Sequence, residues 1–218
     1  MSDSPKSRKI KEEKYGDLTL ILGPMYSGKT TELIRLLTIM ADSSHSCGNS
    51  LNVLYINHES DVRETEKSGE NITTHNSTFG KLTTNIDTIK VSQLADVDID
   101  DYQIIGIDEG QFFSDIENTV RDWVLNYSKI VYISSLDGTS NINVGSDDIY
   151  ILDVLKLIPL CRSGQLNKLE AKCFFCMKRG IINAASYSKK IAGDSKKTKE
   201  IGGDDMYVAS CLHCHQLI

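Results

Sequence analysis

Apolar residues occur along the chain in short runs typical of buried strands, and segments with helical periodicity lie between these runs. Two segments, 29–41 and 114–127, place their apolar residues on one helical face. Runs of aliphatic and β-branched residues predict four strands, at 17–23, 51–57, 102–108 and 129–136. Strands that alternate with helices pair in parallel through right-handed crossovers. The pattern therefore predicts an α/β fold with a parallel sheet flanked by helices.

The composition is typical of a globular protein without a membrane span. Apolar residues make up 40% of the 218 positions, which is enough for a core. No apolar run reaches the roughly 18–20 residues that cross a bilayer. Residues 1–16 are rich in Ser, Lys and Glu and lack the apolar segment of a secretory signal. We therefore predict a disordered N-terminal tail and a cytoplasmic location.

Charge and residue usage divide the chain into two parts. The net charge of −6 argues against a protein that coats nucleic acid, because such proteins neutralise phosphates over a wide basic surface. Residues 161–200, however, hold ten Lys or Arg against three Asp or Glu. From about residue 170 the apolar pattern gives way to cysteines, glycines and lysines. We predict an α/β domain over 17–169 and a small lobe over 170–218, whose basic residues either face phosphate or form a solvated loop.

A phosphate-binding motif lies between the first predicted strand and the first predicted helix. The motif G-x-x-x-x-G-K-[ST] is matched in full by Gly23, Pro24, Met25, Tyr26, Ser27, Gly28, Lys29 and Thr30. In such loops backbone N–H groups and the helix N-terminus bind phosphate oxygens, and the lysine reaches the β- and γ-phosphates. The hydroxyl of the last residue ligates Mg²⁺. The motif and its context make 17–169 the predicted nucleotide-binding domain.

Two adjacent acids, Asp108 and Glu109, follow a predicted buried strand. In nucleotide-binding sheets an acid at a strand end helps to hold Mg²⁺, and Asp108 fits that position. Neighbouring residues of a strand point in different directions, so Glu109 would serve a different task, toward the acceptor substrate. A solvated acid pair is the alternative interpretation of Glu109.

Two C-x-x-C pairs lie in the small lobe, formed by Cys173, Cys176, Cys211 and Cys214. In a reducing compartment such pairs are metal ligands or redox sites more often than disulfides, and four thiolates can form one tetrahedral zinc site. The metal would then hold the base of the long intervening loop, 177–210. His213 and His215 are alternative ligands, and we predict no role for Cys47 or Cys161.

Taken together, these motifs resemble the type II (cellular thymidine kinase 1-like) thymidine kinases. The resemblance runs in order from about residue 17 to 215. It is carried by GPMYSGKT at 23–30, DVR at 61–63, DEGQFF at 108–113, LDGT at 136–139, the two cysteine pairs, and IGG at 201–203 before Tyr207. The combination of the first segment with DEGQFF is highly specific.

The resemblance implies ATP-dependent phosphorylation of the 5′-hydroxyl of thymidine to the monophosphate, in pyrimidine deoxynucleoside salvage. It implies deoxyuridine as a second acceptor and thymidine triphosphate as a feedback inhibitor. The implied fold is a P-loop, RecA-like parallel sheet with a small C-terminal zinc-ribbon lobe, whose loop 177–210 is the lasso that closes over the base. The implied cofactors are ATP, Mg²⁺ and structural Zn²⁺, and the implied assembly is a homotetramer without nucleic acid or membrane partners.

The resemblance also assigns roles to individual residues. Glu109 is implied to be the general base that takes the proton of the 5′-hydroxyl. Arg63 is implied to lie near the phosphates, and Asp61 to join Thr30 and Asp108 near magnesium. The residues implied to contact the nucleoside are Met25, Phe112, Leu136, Ser188, Ile201, Gly202 and Tyr207.

One segment departs from the family, and two other functions fit parts of the sequence. After residue 139 the chain reads SNINVGSDD in place of the usual aromatic and basic stretch, so we expect fewer aromatic contacts with the nucleoside. The segment 167–170, NKLE, resembles the guanine-reading N-K-x-D of GTPases but lacks its aspartate. A non-enzymatic RecA-like, zinc-bearing module for single-stranded nucleic acid would need a basic, aromatic-rich groove, whereas aromatic residues make up 7%.

Overall fold

A six-stranded parallel sheet forms the centre of the computed structural model, which describes residues 16–46, 51–61, 86–140, 152–192 and 206–217. Every pair of neighbouring strands in this sheet is parallel. The strands are β1 (Asp17–Leu22), β2 (Val53–His58), β3 (Ile86–Val91), β4 (Ile104–Ile107), β5 (Ile130–Ser135) and β6 (Leu166–Lys168). Their spatial order is β3-β2-β4-β5-β1-β6. The predicted parallel α/β architecture is confirmed.

The strand order decides which residues meet at the carboxyl edge of the sheet. Strand β1 leads into the phosphate loop, and β4 leads into the acid pair. Strand β5 lies between them, paired with β1 on one side and β4 on the other. The residues that end β5 therefore lie between the phosphate loop and the two acids, a position that binding sites of open parallel sheets commonly occupy.

Helices cover both faces of the sheet. Helix α1 (Lys29–Ser46) packs Leu33 and Leu37, both fully buried, against one face. Burial of each leucine contributes about 1.5–3 kcal/mol. Helix α2 (Ile116–Leu125) and a 3₁₀ helix (Asp153–Leu160) cover the other face. No helix within the described ranges is long and apolar enough to cross a membrane.

Two strands of the sheet were not predicted from the sequence, and both lie at its edges. In β3 only Ile86 is buried, and β6 is three residues long with Leu166 and Lys168 exposed. Such edge strands carry neither a continuous apolar run nor a clear alternation. Their pairing with β2 and β1 determines their conformation more than their own sequence does.

The small lobe begins where parallel pairing ends. It contains α3 (Phe174–Met177), α4 (Leu212–Leu217) and two antiparallel ribbons, β7 (Ala171–Lys172) with β8 (Ala184–Ala185) and β9 (Tyr187–Lys190) with β10 (Tyr207–Ser210). Its core consists of four cysteines and the alanines around them. The change in pairing supports a boundary near residue 170, which stays a prediction.

Candidate active site

The phosphate loop joins β1 to α1, as the motif predicts. Gly28 has a φ of +85°, a left-handed conformation that side chains disfavour. Gly23 is needed for a different reason: a Cβ there would lie 2.6 Å from the carbonyl oxygen of Leu169. The Lys29 ammonium donates a hydrogen bond to the carbonyl of Pro24 at 2.8 Å. The loop thus holds its own lysine, which is largely buried, beside its backbone.

Asp108, directly after β4, accepts hydrogen bonds from three other elements and from the next residue of the chain. Its Oδ1 accepts hydrogen bonds from Thr30 Oγ1 at 3.2 Å, from the backbone N–H of Glu109 at 3.0 Å and from Ser134 Oγ. Its Oδ2 accepts a hydrogen bond from the hydroxyl of Tyr55 at 2.9 Å. The threonine of the phosphate loop and the acid of β4, both predicted magnesium ligands, are therefore in contact.

The environment of Asp108 disfavours the ionised form of its carboxyl group. Burial and the neighbouring charge of Glu109 together raise the pKa of this carboxyl to about 6, against the hydrogen bonds from Ser134, Tyr55 and Thr30. A buried carboxylate beside a hydroxyl offers the hard oxygen ligands that Mg²⁺ prefers. A divalent cation would favour the ionised form, so the donor set fits the predicted metal.

Glu109 has a left-handed backbone conformation and is followed by a glycine that packs closely on β5. Its φ of 50° and ψ of 44° are left-handed, which costs a non-glycine residue roughly 1–2 kcal/mol. A 3₁₀ turn (Gly110–Phe112) follows and packs directly on β5. A Cβ on Gly110 would lie 2.8 Å from Cγ2 of Ile133, so glycine alone permits this approach. Backbone strain of this kind is concentrated at functional sites.

Gln111 connects Glu109 to the end of β5. Its Nε2 donates a hydrogen bond to Oε2 of Glu109. Its Oε1 accepts hydrogen bonds from Ser135 Oγ and from the backbone N–H of Leu136, each at 3.0 Å. The two consecutive serines of β5 therefore serve the two consecutive acids: Ser134 contacts Asp108, and Ser135 reaches Glu109 through Gln111.

The four cysteines of the two C-x-x-C pairs meet in the small lobe. The sulfur atoms of Cys173, Cys176, Cys211 and Cys214 all lie within 4.8 Å of one another. Burial and the surrounding thiols raise the pKa of Cys214 to about 12. Four buried thiols this close cannot all ionise without a cation among them, and four thiolates are the ligand set of structural zinc. The cluster could hold zinc.

Other residues near the cluster act on the sulfurs or pack beside them. Arg179 donates hydrogen bonds to Cys214 Sγ at 3.1 Å and to Cys176 Sγ at 3.5 Å, so a guanidinium lies against the thiols. The ring of His215 instead packs on Tyr187, with centroids 5.7 Å apart. Among the described residues the only group with metal-ligand geometry consists of the four cysteines, without a histidine.

Comparison with known proteins assigns the chain to a family. The sequence pattern of the family described as thymidine kinase matches residues 16–215. The chain belongs to the thymidine kinase family. It is 34% identical to the thymidine kinase of rabbit fibroma virus (strain Kasza) over 92% of this chain and 96% of the relative. It is 35% identical to that of vaccinia virus (strain Western Reserve) and 36% identical to that of variola virus (isolate Human/India/Ind3/1967), each over 92% of this chain and 97% of the relative.

Family membership confirms the resemblance and makes the chain a kinase. The two rival interpretations, a GTPase and a non-enzymatic nucleic-acid module, are not supported by it. The roles of individual residues stay predictions. Among them, Asp61 lies after β2, is largely buried, and accepts a hydrogen bond from Asn57 Nδ2 at 3.2 Å. Arg63, Ile201 and Gly202 lie outside the described residues.

Three of the predicted nucleoside residues, Met25, Ser188 and Tyr207, lie where the phosphate loop contacts the small lobe. The backbone N–H of Met25 donates to Ser188 Oγ of β9 at 2.9 Å. The hydroxyl of Tyr26 donates to the carbonyl of Tyr207 in β10 at 3.4 Å. Two residues of the phosphate loop therefore contact the ribbon of β9 and β10, which lies within the loop 177–210. The roles of Met25, Ser188 and Tyr207 toward a nucleoside stay predictions.

Several polar residues of the site escaped the sequence analysis. Tyr55 lies within an apolar strand, and Ser134 ends another; nothing in their local sequence marks them as partners of Asp108. Gln111 lies inside the recognised DEGQFF segment, but its contacts depend on β5. His58 packs its ring on Phe112 and Phe113, with centroids 5.8 and 4.8 Å away. Its place at the end of β2, beside a predicted nucleoside residue, was the available signal.

Proposed function

We propose that the enzyme transfers the γ-phosphoryl group of ATP to the 5′-hydroxyl of thymidine. The observation that carries the proposal is the juxtaposition of Thr30, Asp108 and Glu109 at one edge of the sheet. It combines a phosphate loop, two predicted magnesium ligands and a carboxylate that can accept a proton. Phosphoryl transfer needs little more than such positioning and charge neutralisation.

The proposed reaction divides the work among few residues. The Glu109 carboxylate takes the proton of the 5′-hydroxyl, whose oxygen forms the new bond to the γ-phosphorus. The bond to the bridging oxygen breaks and ADP leaves, with Lys29 and Arg63 balancing the charge of the phosphates. Magnesium, held by Thr30 and Asp108 with Asp61 near it, would supply further charge neutralisation when bound.

The small lobe is proposed to complete the acceptor site. Phe112, Leu136, Ser188 and Tyr207 would line it, and the lasso with Ile201 and Gly202 would close over the base. The contacts of Met25 and Tyr26 with the ribbon support this arrangement. Deoxyuridine as a second acceptor, inhibition by thymidine triphosphate and a homotetrameric assembly are part of the same proposal and rest on the family alone.

A nucleoside panel tests the substrate assignment. Purified enzyme is given ATP and magnesium with thymidine, deoxyuridine, deoxycytidine or no acceptor, and the monophosphate and ADP are measured. We expect ADP only with an acceptor, and thymidine as the best one. ADP without any acceptor, or no turnover of thymidine, would refute the assignment.

A substitution of Glu109 tests the general base. Glu109→Gln keeps the shape of the side chain but cannot take a proton, so we expect turnover to fall by about 10²–10⁴ with little change in thymidine binding. The matched control is Glu117→Gln on α2, whose carboxylate forms surface ion pairs with Arg121 and Lys156. Near-normal turnover of Glu109→Gln would assign the base to another group.

A further inference from the structure

Gln111 is held at both ends of its amide. The backbone N–H of Leu136 can only donate, so the amide oxygen must face it, at 3.0 Å. The amide nitrogen must then face Glu109, to which it donates. Ser135 donates to the same amide oxygen and strengthens this orientation. Because Gln111 is largely buried, water screens these bonds little.

The chemistry of an amide suits this position. A carboxylate beside Glu109 would repel it, and the site already contains the buried carboxyl of Asp108. A lysine would add a charge and could itself exchange a proton with the carboxylate. A glutamine donates one N–H to Oε2 of Glu109 and adds no charge, so it stabilises the ionised form without competing for the proton.

We propose that Gln111 is a positioning residue of the phosphoryl transfer. It fixes Oε2 of Glu109 against the end of β5, so that the carboxylate presents Oε1 to the acceptor hydroxyl. The left-handed turn at Glu109 and the close packing of Gly110 on β5 bring the two side chains together. The inference rests on the proposed function, in which Glu109 is the general base.

Removal of the amide donor tests this role. Gln111→Met keeps the length of the side chain and loses all three hydrogen bonds of the amide, so we expect kcat to fall by about 10–100-fold, as for loss of a hydrogen bond to a charged group. KM for thymidine should change by less than about 3-fold, because the substrate is not the partner.

The matched control lies at the other end of β4. Gln103 also bridges two groups: it accepts a hydrogen bond from the N–H of Asn52 at 2.9 Å and donates to the carbonyl of Asp101 at 3.2 Å. Gln103→Met should leave both kcat and the KM for thymidine unchanged. Gln111→Glu is the second variant, since it keeps both acceptor contacts with β5 but replaces the donor by a carboxylate that repels Glu109. It should lose as much turnover as Gln111→Met.

A double-mutant cycle with Glu109→Gln decides whether Gln111 acts through the base. If it does, Gln111→Met should cause no further loss of kcat in the Glu109→Gln background. Losses that multiply in the double variant, a KM effect without a kcat effect, or full activity of both Gln111 variants would overturn the proposal. Failure of the proposed function looks different: Glu109→Gln itself would then retain near-normal turnover.

Discussion

Replacing Asp108 by asparagine should stabilise the magnesium-free enzyme at neutral pH. The carboxyl is buried, and its pKa is raised to about 6 because burial and the charge of Glu109 disfavour ionisation. Asparagine keeps the size of the side chain and one oxygen that accepts the bonds now made to Oδ1. Its amide nitrogen would face Tyr55, whose hydroxyl can rotate to accept a hydrogen bond.

The magnitude follows from the pKa of Asp108 in the folded and unfolded chain. The unfolded value is near 3.8, so the folded protein binds more protons than the unfolded chain between about pH 4 and 6. The contribution of Asp108 to the free energy of unfolding is therefore complete below this window and is lost as pH rises through it. A shift of about two units corresponds to a loss of about 3 kcal/mol. Asp108→Asn does not ionise, so it should avoid that loss.

Denaturant unfolding from pH 4.5 to 8 in magnesium-free buffer measures this effect. We expect Asp108→Asn to be more stable than the unsubstituted protein by about 1 kcal/mol at pH 4.5 and by about 2–3 kcal/mol at pH 8, with its metal-dependent activity lost. The matched control is Asp87→Asn, since Asp87 also accepts a tyrosine hydroxyl, from Tyr102 at 2.9 Å, but is exposed. It should change stability by less than about 0.5 kcal/mol. An unchanged pH dependence in Asp108→Asn, or lower stability at pH 8, would refute the reasoning.

Two further predictions concern the small lobe. Freshly purified protein should contain about one zinc per chain. Cys173→Ser or Cys211→Ser should lose the metal and Cys161→Ser should keep it, because only the first two remove a thiolate of the cluster. Elemental analysis measures the zinc content, and absence of zinc from the unsubstituted protein would contradict the prediction. Thymidine or thymidine triphosphate should slow tryptic cleavage after Lys196, Lys197 and Lys199, since a lasso closed over the base would protect these bonds. Mass spectrometry identifies the cleavage sites. Equal cleavage rates with and without ligand would argue against the lasso as the nucleoside lid.

The sequence predicted those parts of the enzyme that short, contiguous segments of the chain determine. The phosphate loop is a contiguous motif with glycines where the backbone requires them, and Asp108 follows an unmistakable buried strand. The C-x-x-C spacing of the two cysteine pairs likewise indicates a metal or redox site without knowledge of the fold. These features do not depend on which strands become neighbours.

The parts that escaped prediction depend on strand order. Ser134 and Gln111 gain their partners only because β5 inserts between β1 and β4, and Tyr55 gains Asp108 because β2 pairs with β4. No local pattern encodes this arrangement. The edge strands β3 and β6 are defined by pairing rather than by apolar content. The choice between histidine and cysteine at the metal cluster also needed the fold, which packs His215 on Tyr187 instead.

The contacts between the phosphate loop and the ribbon of β9 and β10 would couple the two proposed ligands, the phosphate donor and the nucleoside, even where these do not touch. Met25 and Tyr26 are bonded to Ser188 and Tyr207, so the position of the loop and the docking of the ribbon form one equilibrium. Linkage is reciprocal: the factor by which phosphate binding favours the docked ribbon is the factor by which the docked ribbon favours phosphate binding. A nucleoside that seats the ribbon differently would thereby change the apparent affinity for the phosphate donor without contacting it.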